Sequence, residues 1–236
     1  MNGRHPSDIA RDVERLYEIL NVIRQRVGGD RRLQACNGRM DWPRRGVYIF
    51  FEPGEMRNSG PGLRVVRVGT HAVSRGAATT LWNRLRTHRG FLNGGGNHRG
   101  SIFRLHVGTA LLERGDFPDS VRQSWGKGSS APREVRLAEH GLECAVSEYI
   151  GRMPFLWLGI DDEPGPESKR KYIERNMVAL LSSASRLRID PPSEDWLGRD
   201  CRHKAVKKSG LWNVDHVFED YDSGFLKLFE RLAGHK

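Results

Sequence analysis

Tyr48 in "GVYIFF" and Arg67 in "RVVRVG" are polar groups set in two short apolar runs. Tyr48 follows Gly46 by two positions and Arg67 precedes Gly69 by two. A phenol of reference pKa about 10 is a poor base at neutral pH unless a cation favours its phenolate, and a guanidinium on the next strand could be that cation. Taken singly, each residue has a plainer reading: a core tyrosine with its hydroxyl satisfied, and an outward arginine on a sheet edge.

In "NRLRTHR", Arg84 and His88 are four residues apart, so on a helix both side chains leave one face a turn apart. Arginine can hold two phosphate oxygens at once, and imidazole can donate a further bond or move a proton. Such a pair is otherwise an ordinary solvated basic face. Glu174 in "YIERNMVALL" lies beside Ile173 at the edge of an apolar stripe, which keeps its carboxylate out of bulk water and in need of a partner. Arg170 or Lys171 on the preceding turn is one candidate. A hard cation is the other, because Mg²⁺ can be held by one carboxylate together with waters and phosphate oxygens.

The elements that must position these groups follow from pattern. "PSDIARDVERLYEILNVIRQRVGG" spaces Ile9, Val13, Leu16, Leu20, Ile23 and Val27 as one helical stripe, with Ser7 as N-cap and Gly28 as stop. "GVYIFF" and "LRVVRVGT" read as strands, joined antiparallel by the Gly/Pro/Asn loop "EPGEMRNSGPG". "SRGAATTLWNRLRTHRGF" is a short helix ending at Gly90, and "SIFRLHVG" alternates as a half-exposed strand. Helix and loop are expected from about 111 to 149. "MPFLWLGI" reads as a central strand, "KRKYIERNMVALLSSAS" as a helix burying Ile173, Met177, Leu180, Leu181 and Ala184, and "FLKLFERLAG" as a C-terminal helix.

The chain has 236 residues and a net charge of +10, a balance that draws polyanions, nucleic acid first among them. It contains no apolar run of the roughly 20 residues that a membrane span needs, and its charged N-terminus lacks the apolar centre of an export signal, so the expected location is cytoplasmic. Three distant cysteines, Cys36, Cys144 and Cys201, have neither zinc nor disulfide spacing.

The order of these features resembles the GIY-YIG nuclease superfamily. "GVY" at 46–48 stands for the first half of that signature and "RVG" at 67–69 for the second, with Arg67 where the family usually has tyrosine. Arg84 and His88 match the helix arginine and the histidine one turn on. Glu174 matches the metal-binding glutamate, and Asn213 in "SGLWNVDHV" stands for the asparagine that often follows it. The resemblance implies an α+β fold with a small central antiparallel sheet flanked by helices. Residues 1–40 would form an N-terminal helical extension, 41–190 the nuclease domain with an insertion at about 93–150, and 191–236 a basic C-terminal extension.

The activity implied is that of a Mg²⁺- or Mn²⁺-dependent DNA endonuclease, restriction-type in its decoration, acting on double-stranded DNA. Tyr48 would take the proton of the attacking water, Arg67 would set the charge around it, Arg84 and His88 would stabilise the transition state, and Glu174 would hold the metal. A permanently protonated guanidinium at 67 cannot replace a second acid/base tyrosine. The alternative is therefore a catalytically inactive module that binds nucleic acid on a nuclease-like fold. The DNA grip is expected from Arg99 and Arg104 in "GGGNHRGSIFR" and from Arg199, Arg202, Lys204, Lys207 and Lys208 in "GRDCRHKAVKKSG". A double-strand cutter with one site per chain would act as a homodimer or cut in sequence.

Overall fold

A computed structural model describes residues 5–184 and 189–234. Residues 1–4, 185–188 and 235–236, among them Ser185 at the end of the predicted "KRKYIERNMVALLSSAS" helix, lie outside the described residues.

The N-terminal helix α1 (Pro6–Arg26) is capped by His5, whose ring accepts from the Ser7 N–H, and not by Ser7 as expected. Pro6 takes the first turn, where a missing N–H costs no hydrogen bond. Gly28, at φ +75°, stops the helix in the left-handed region. The short strand β1 (Arg31–Arg32) leads to the hairpin of β2 (Gly46–Met56) and β3 (Leu63–Gly69), and β4 (Pro154–Gly159) completes one sheet in the order β1-β4-β2-β3 with every pairing antiparallel. The "MPFLWLGI" run is therefore an interior strand, as its apolar character requires.

Alternation along β2 sends its side chains to two cores. Val47, Ile49 and Phe51 pack with α1, α7 (Lys169–Leu181) and α9 (Gly224–Gly234); Tyr48 and Phe50 pack with α2 (Leu81–Arg89), α3 (Ile102–Arg114) and α6 (His140–Arg152). Tyr48 pairs with Gly69 and Phe50 with Arg67, after which a bulge shifts the register so that Phe51 pairs with Val65. Helices α1, α7 and α9 thus cover one face of the sheet, and α2 with the helices between α2 and β4 covers the other.

The expected strand over "SIFRLHVG" is instead the start of α3. Ser101 caps that helix through its hydroxyl, which accepts from the Arg104 N–H. The alternation misled because Arg104 and His106 are buried, not half-exposed, and Phe103, Val107 and Ala110 form a helical stripe. Two short helices, α4 (Asp119–Ser124) and α5 (Arg133–Ala138), fill the rest of the insertion. The basic C-terminal stretch holds a 3₁₀ turn at Leu197–Asp200 and the short helix α8 (Lys204–Ser209). From there the chain runs along the free edge of β3: Trp212 donates its N–H to the Val66 carbonyl at 2.7 Å, and the Asn213 side chain brackets Val68. That cover removes an open sheet edge. No helix among the described residues is long and apolar enough to cross a membrane.

Candidate active site

Two glycines allow the tyrosine to sit where it does. A Cβ on Gly46 would overlap the Leu158 carbonyl of the neighbouring strand, and a Cβ on Gly69 would overlap the ring and hydroxyl of Tyr48. The phenol therefore lies across the bare backbone of β3, fully buried. Its oxygen is 2.8 Å from Nε2 of His88, also fully buried, and the buried guanidinium of Arg67 lies close enough to act on it electrostatically.

The direction of the Tyr48–His88 bond is linked to the far side of the ring. His88 Nδ1 is 2.8 Å from Oγ of Ser101, and the same Oγ accepts the Arg104 N–H at 3.2 Å. The serine keeps its hydrogen and a second lone pair for Nδ1, so the Tyr48–His88 bond runs from Nε2–H to the phenol oxygen or from the phenol to Nε2 according to which ring nitrogen carries the proton. Burial, and then the neighbouring cations of Arg84, Arg67 and Arg104, press the His88 pKa well below its ordinary value, which keeps the ring neutral. The tyrosine oxygen thus meets a neutral imidazole, with the buried cation of Arg67 close by.

Arg67 is itself buried, stacked over the ring of Phe103 and donating to the Trp212 carbonyl, while its Nε has no partner. Burial lowers its pKa, opposed by Tyr48 and Glu174. Arg84, one turn before His88, is partly exposed, and its side chain forms no hydrogen bond or ion pair among the described residues. Its guanidinium is therefore free to meet an anion from solvent.

Glu174 reaches the same place from the opposite face of the sheet, beside Thr70 past the end of β3. Burial pushes its pKa up, while Arg67, His216 and Arg84 favour the ionised form. Neither neighbour on its own helix serves it. Arg170 is buried and bound to Asp162 and to the carbonyls of His71 and Ala72, and Lys171 is exposed. Among the described residues Glu174 has no ion pair, so a half-buried hard oxygen donor remains, of the kind that suits a divalent cation.

The insertion holds the histidine in place. Arg104 donates to the His88 carbonyl at 2.9 Å and forms a buried ion pair with Glu143, whose other oxygen accepts from the backbone and ring of His98. Arg104 is thus part of the site's support and does not reach solvent. Arg99 is likewise turned inward, paired with Glu139 through two hydrogen bonds. Neither has a donor face free for a DNA backbone, because both guanidiniums are buried against carboxylates of the insertion. Arg199 is exposed but bonded to the carbonyls of Ser193 and Pro192, and Arg202 is paired with Glu113. Lys204, Lys207 and Lys208 are exposed on α8 without partners among the described residues. Asn213 spends both ends of its amide on Val68, at 3.1 and 2.8 Å.

Sequence reasoning missed Ser101, Glu143 and His216. The N-cap pattern of Ser101 before an apolar run was a usable signal. Glu143 and His216 are brought in only by tertiary packing and carry none.

A family model described as GIY-YIG domain matches residues 7–236. No curated protein and no solved structure matches the chain.

Proposed function

The chain belongs to the GIY-YIG family, which makes it a nuclease of that class, and from this premise we propose that it hydrolyses phosphodiester bonds of DNA with a divalent cation held at Glu174. The observation that carries the reading is the buried Tyr48 oxygen, 2.8 Å from His88 and beside Arg67, with the Arg84 guanidinium, unpaired among the described residues, one turn before His88. The Tyr48 oxygen is assigned the role of general base. In this scheme Tyr48 enters as the phenolate: water attacks phosphorus, its proton passes to the Tyr48 oxygen, the bond to the 3′ oxygen breaks with the electron pair leaving on that oxygen, which solvent protonates, and the phenol returns its proton to solvent before the next turnover. Arg84 meets the non-bridging oxygens as charge builds on them, a contribution preorganised donors make best in a partly dry site. Mg²⁺ or Mn²⁺ at Glu174 would supply further positive charge against the phosphate.

Arg67 replaces a proton-transferring tyrosine with a fixed cation, so this site has one phenol to move protons and a second group that only tunes it. That same replacement is the basis of a competing reading as a binding module without cleavage. The two separate on one experiment. Purified protein with Mg²⁺ or Mn²⁺ should nick plasmid DNA, and Glu174→Gln and Tyr48→Phe should abolish nicking while DNA binding persists. Salt-sensitive binding with no cleavage in either metal would select the module.

A further inference from the structure

The segment 210–217 brings one more group to the site. Its first half is laid along β3, where Trp212 bonds Val66 and Asn213 brackets Val68, the residue before Gly69. Its second half is anchored by Val217, buried in the core with Ile173 and Met177, whose carbonyl accepts from the Ser182 hydroxyl. His216 sits between these anchors, at the seam of β3 and α7 from which Glu174 projects. Its backbone has φ +65°, one of two non-glycine residues at positive φ among those described. That conformation is unfavourable for a histidine and is held only because the flanks fix it.

The ring is held as well. Nδ1 of His216 is 2.8 Å from Oε1 of Glu219, and Oε2 of the same carboxylate accepts from Nε of Arg175 at 2.5 Å. Arg175 is the neighbour of Glu174 on α7, so Glu219 ties the imidazole to the turn of helix that bears the candidate metal ligand. Since a carboxylate only accepts, Nδ1 of the neutral ring carries the hydrogen and Nε2 carries the lone pair. Nε2 has no protein partner among the described residues, and the side chain is 25% exposed.

We propose that Nε2 of His216 accepts a hydrogen bond from a water in the shell of the divalent cation held by Glu174, with Glu219 fixing the ring. The inference rests on the reading of Glu174 as the cation's ligand. A single carboxylate leaves most positions of a Mg²⁺-sized ion to water and phosphate, and such waters need acceptors to orient them. His216 is a positioning residue in this scheme, acting through the water and not on the phosphate.

The test is Mn²⁺ binding to the full chain without DNA, read by electron paramagnetic resonance of free Mn²⁺, for wild type, His216→Asn, His216→Gly and Glu174→Gln. Asn and Gly both tolerate positive φ, which offsets the loss of the bond to Glu219, so both variants should melt close to wild type. The proposal expects Mn²⁺ affinity to fall about 10-fold or more in both His216 variants. Wild-type affinity in His216→Asn and His216→Gly, with Glu174→Gln deficient, overturns the role of His216 and leaves Glu174 as ligand. Wild-type affinity in Glu174→Gln overturns the reading of Glu174 itself. A loss of affinity that appears only in variants with a lowered melting temperature also overturns the proposal, because it reports unfolding.

Discussion

Tyr48 and His88 meet through one buried hydrogen bond, and the consequences can be followed atom by atom. Tyr48→Phe removes the phenol oxygen and leaves His88 Nε2 buried and unpaired. We expect a loss of roughly 1–3 kcal/mol of stability from that desolvated group. The accompanying fall in cleavage rate, about 10²–10⁴-fold, should be measured at a temperature where the variant stays folded. The tautomer is directly observable: the proposed acceptor role of Tyr48 predicts ¹⁵N chemical shifts of His88 with Nε2 protonated and Nδ1 bare, and Ser101→Ala should weaken that preference because its hydroxyl faces Nδ1. A protonated Nδ1 in the wild type would reverse the direction of the Tyr48 bond and make the ring an acceptor. Gly69→Ala is the complementary change, since its methyl would occupy the space of the Tyr48 ring. Displacing a buried ring in this way costs about 1–3 kcal/mol and should remove activity, read by thermal melting and nicking together.

At the scale of elements, the insertion is part of the machinery more than a decoration. Through α3 and α6 it delivers Ser101, Arg104 and Glu143 to the back of His88. Glu143→Ala would leave Arg104 buried without its counter-charge, and breaking one side of such a pair costs about 3–5 kcal/mol. The expected outcome is a large drop in the denaturant midpoint, whereas Glu139→Ala, which frees Arg99 nearer the surface of the insertion, should leave His88 in place and activity closer to wild type. The hairpin, the helix of Arg84 and His88, the interior strand and the helix of Glu174 were legible because each is a local pattern: β-branched runs between turn residues, or an apolar stripe ending in glycine. The start of α3 was not, because alternation of apolar with Arg104 and His106 signals a half-exposed strand only when the polar positions face water. Here they are buried, Arg104 by its ion pair with Glu143 and His106 against the ring of His203. A buried ion pair is a fact about two distant segments, and no window of sequence contains it. The same holds for Arg99: a basic residue in a glycine-rich stretch reads as a phosphate contact until the Glu139 carboxylate, forty positions on, is seen to hold it.

On the scale of the whole molecule, two kinds of charge behave differently. The first is buried and neutral. Burial holds the pKa of His71 at about 4 and that of His106 at about 4, and presses His88 well below its usual value. In the unfolded chain these rings titrate near 6.5, so between roughly pH 6.5 and 4 the unfolded state binds more protons and stability falls as pH is lowered. Each contributes at most about 1.4 kcal/mol per pH unit over that window, so urea midpoints measured from pH 7 to 4 should drop steeply, and His106→Phe should flatten the slope. The second kind is exposed and governs the encounter with DNA. With Arg99 and Arg104 turned inward and Arg202 paired to Glu113, the exposed cations of "GRDCRHKAVKKSG" whose side chains have no partner among the described residues are Lys204, Lys207 and Lys208 of α8. If these meet the DNA backbone, each lost contact lowers the slope of log Kobs against log salt by about 0.9. Lys204→Ala, Lys207→Ala and Lys208→Ala together should therefore weaken binding by a salt-dependent amount, with melting temperature unchanged because all three side chains lie in solvent. Arg99→Ala should do the reverse, losing stability with little change of slope. An unchanged slope in the triple lysine variant would move the DNA path away from α8 and toward the α2 end of the site, where the free guanidinium of Arg84 would become its first contact.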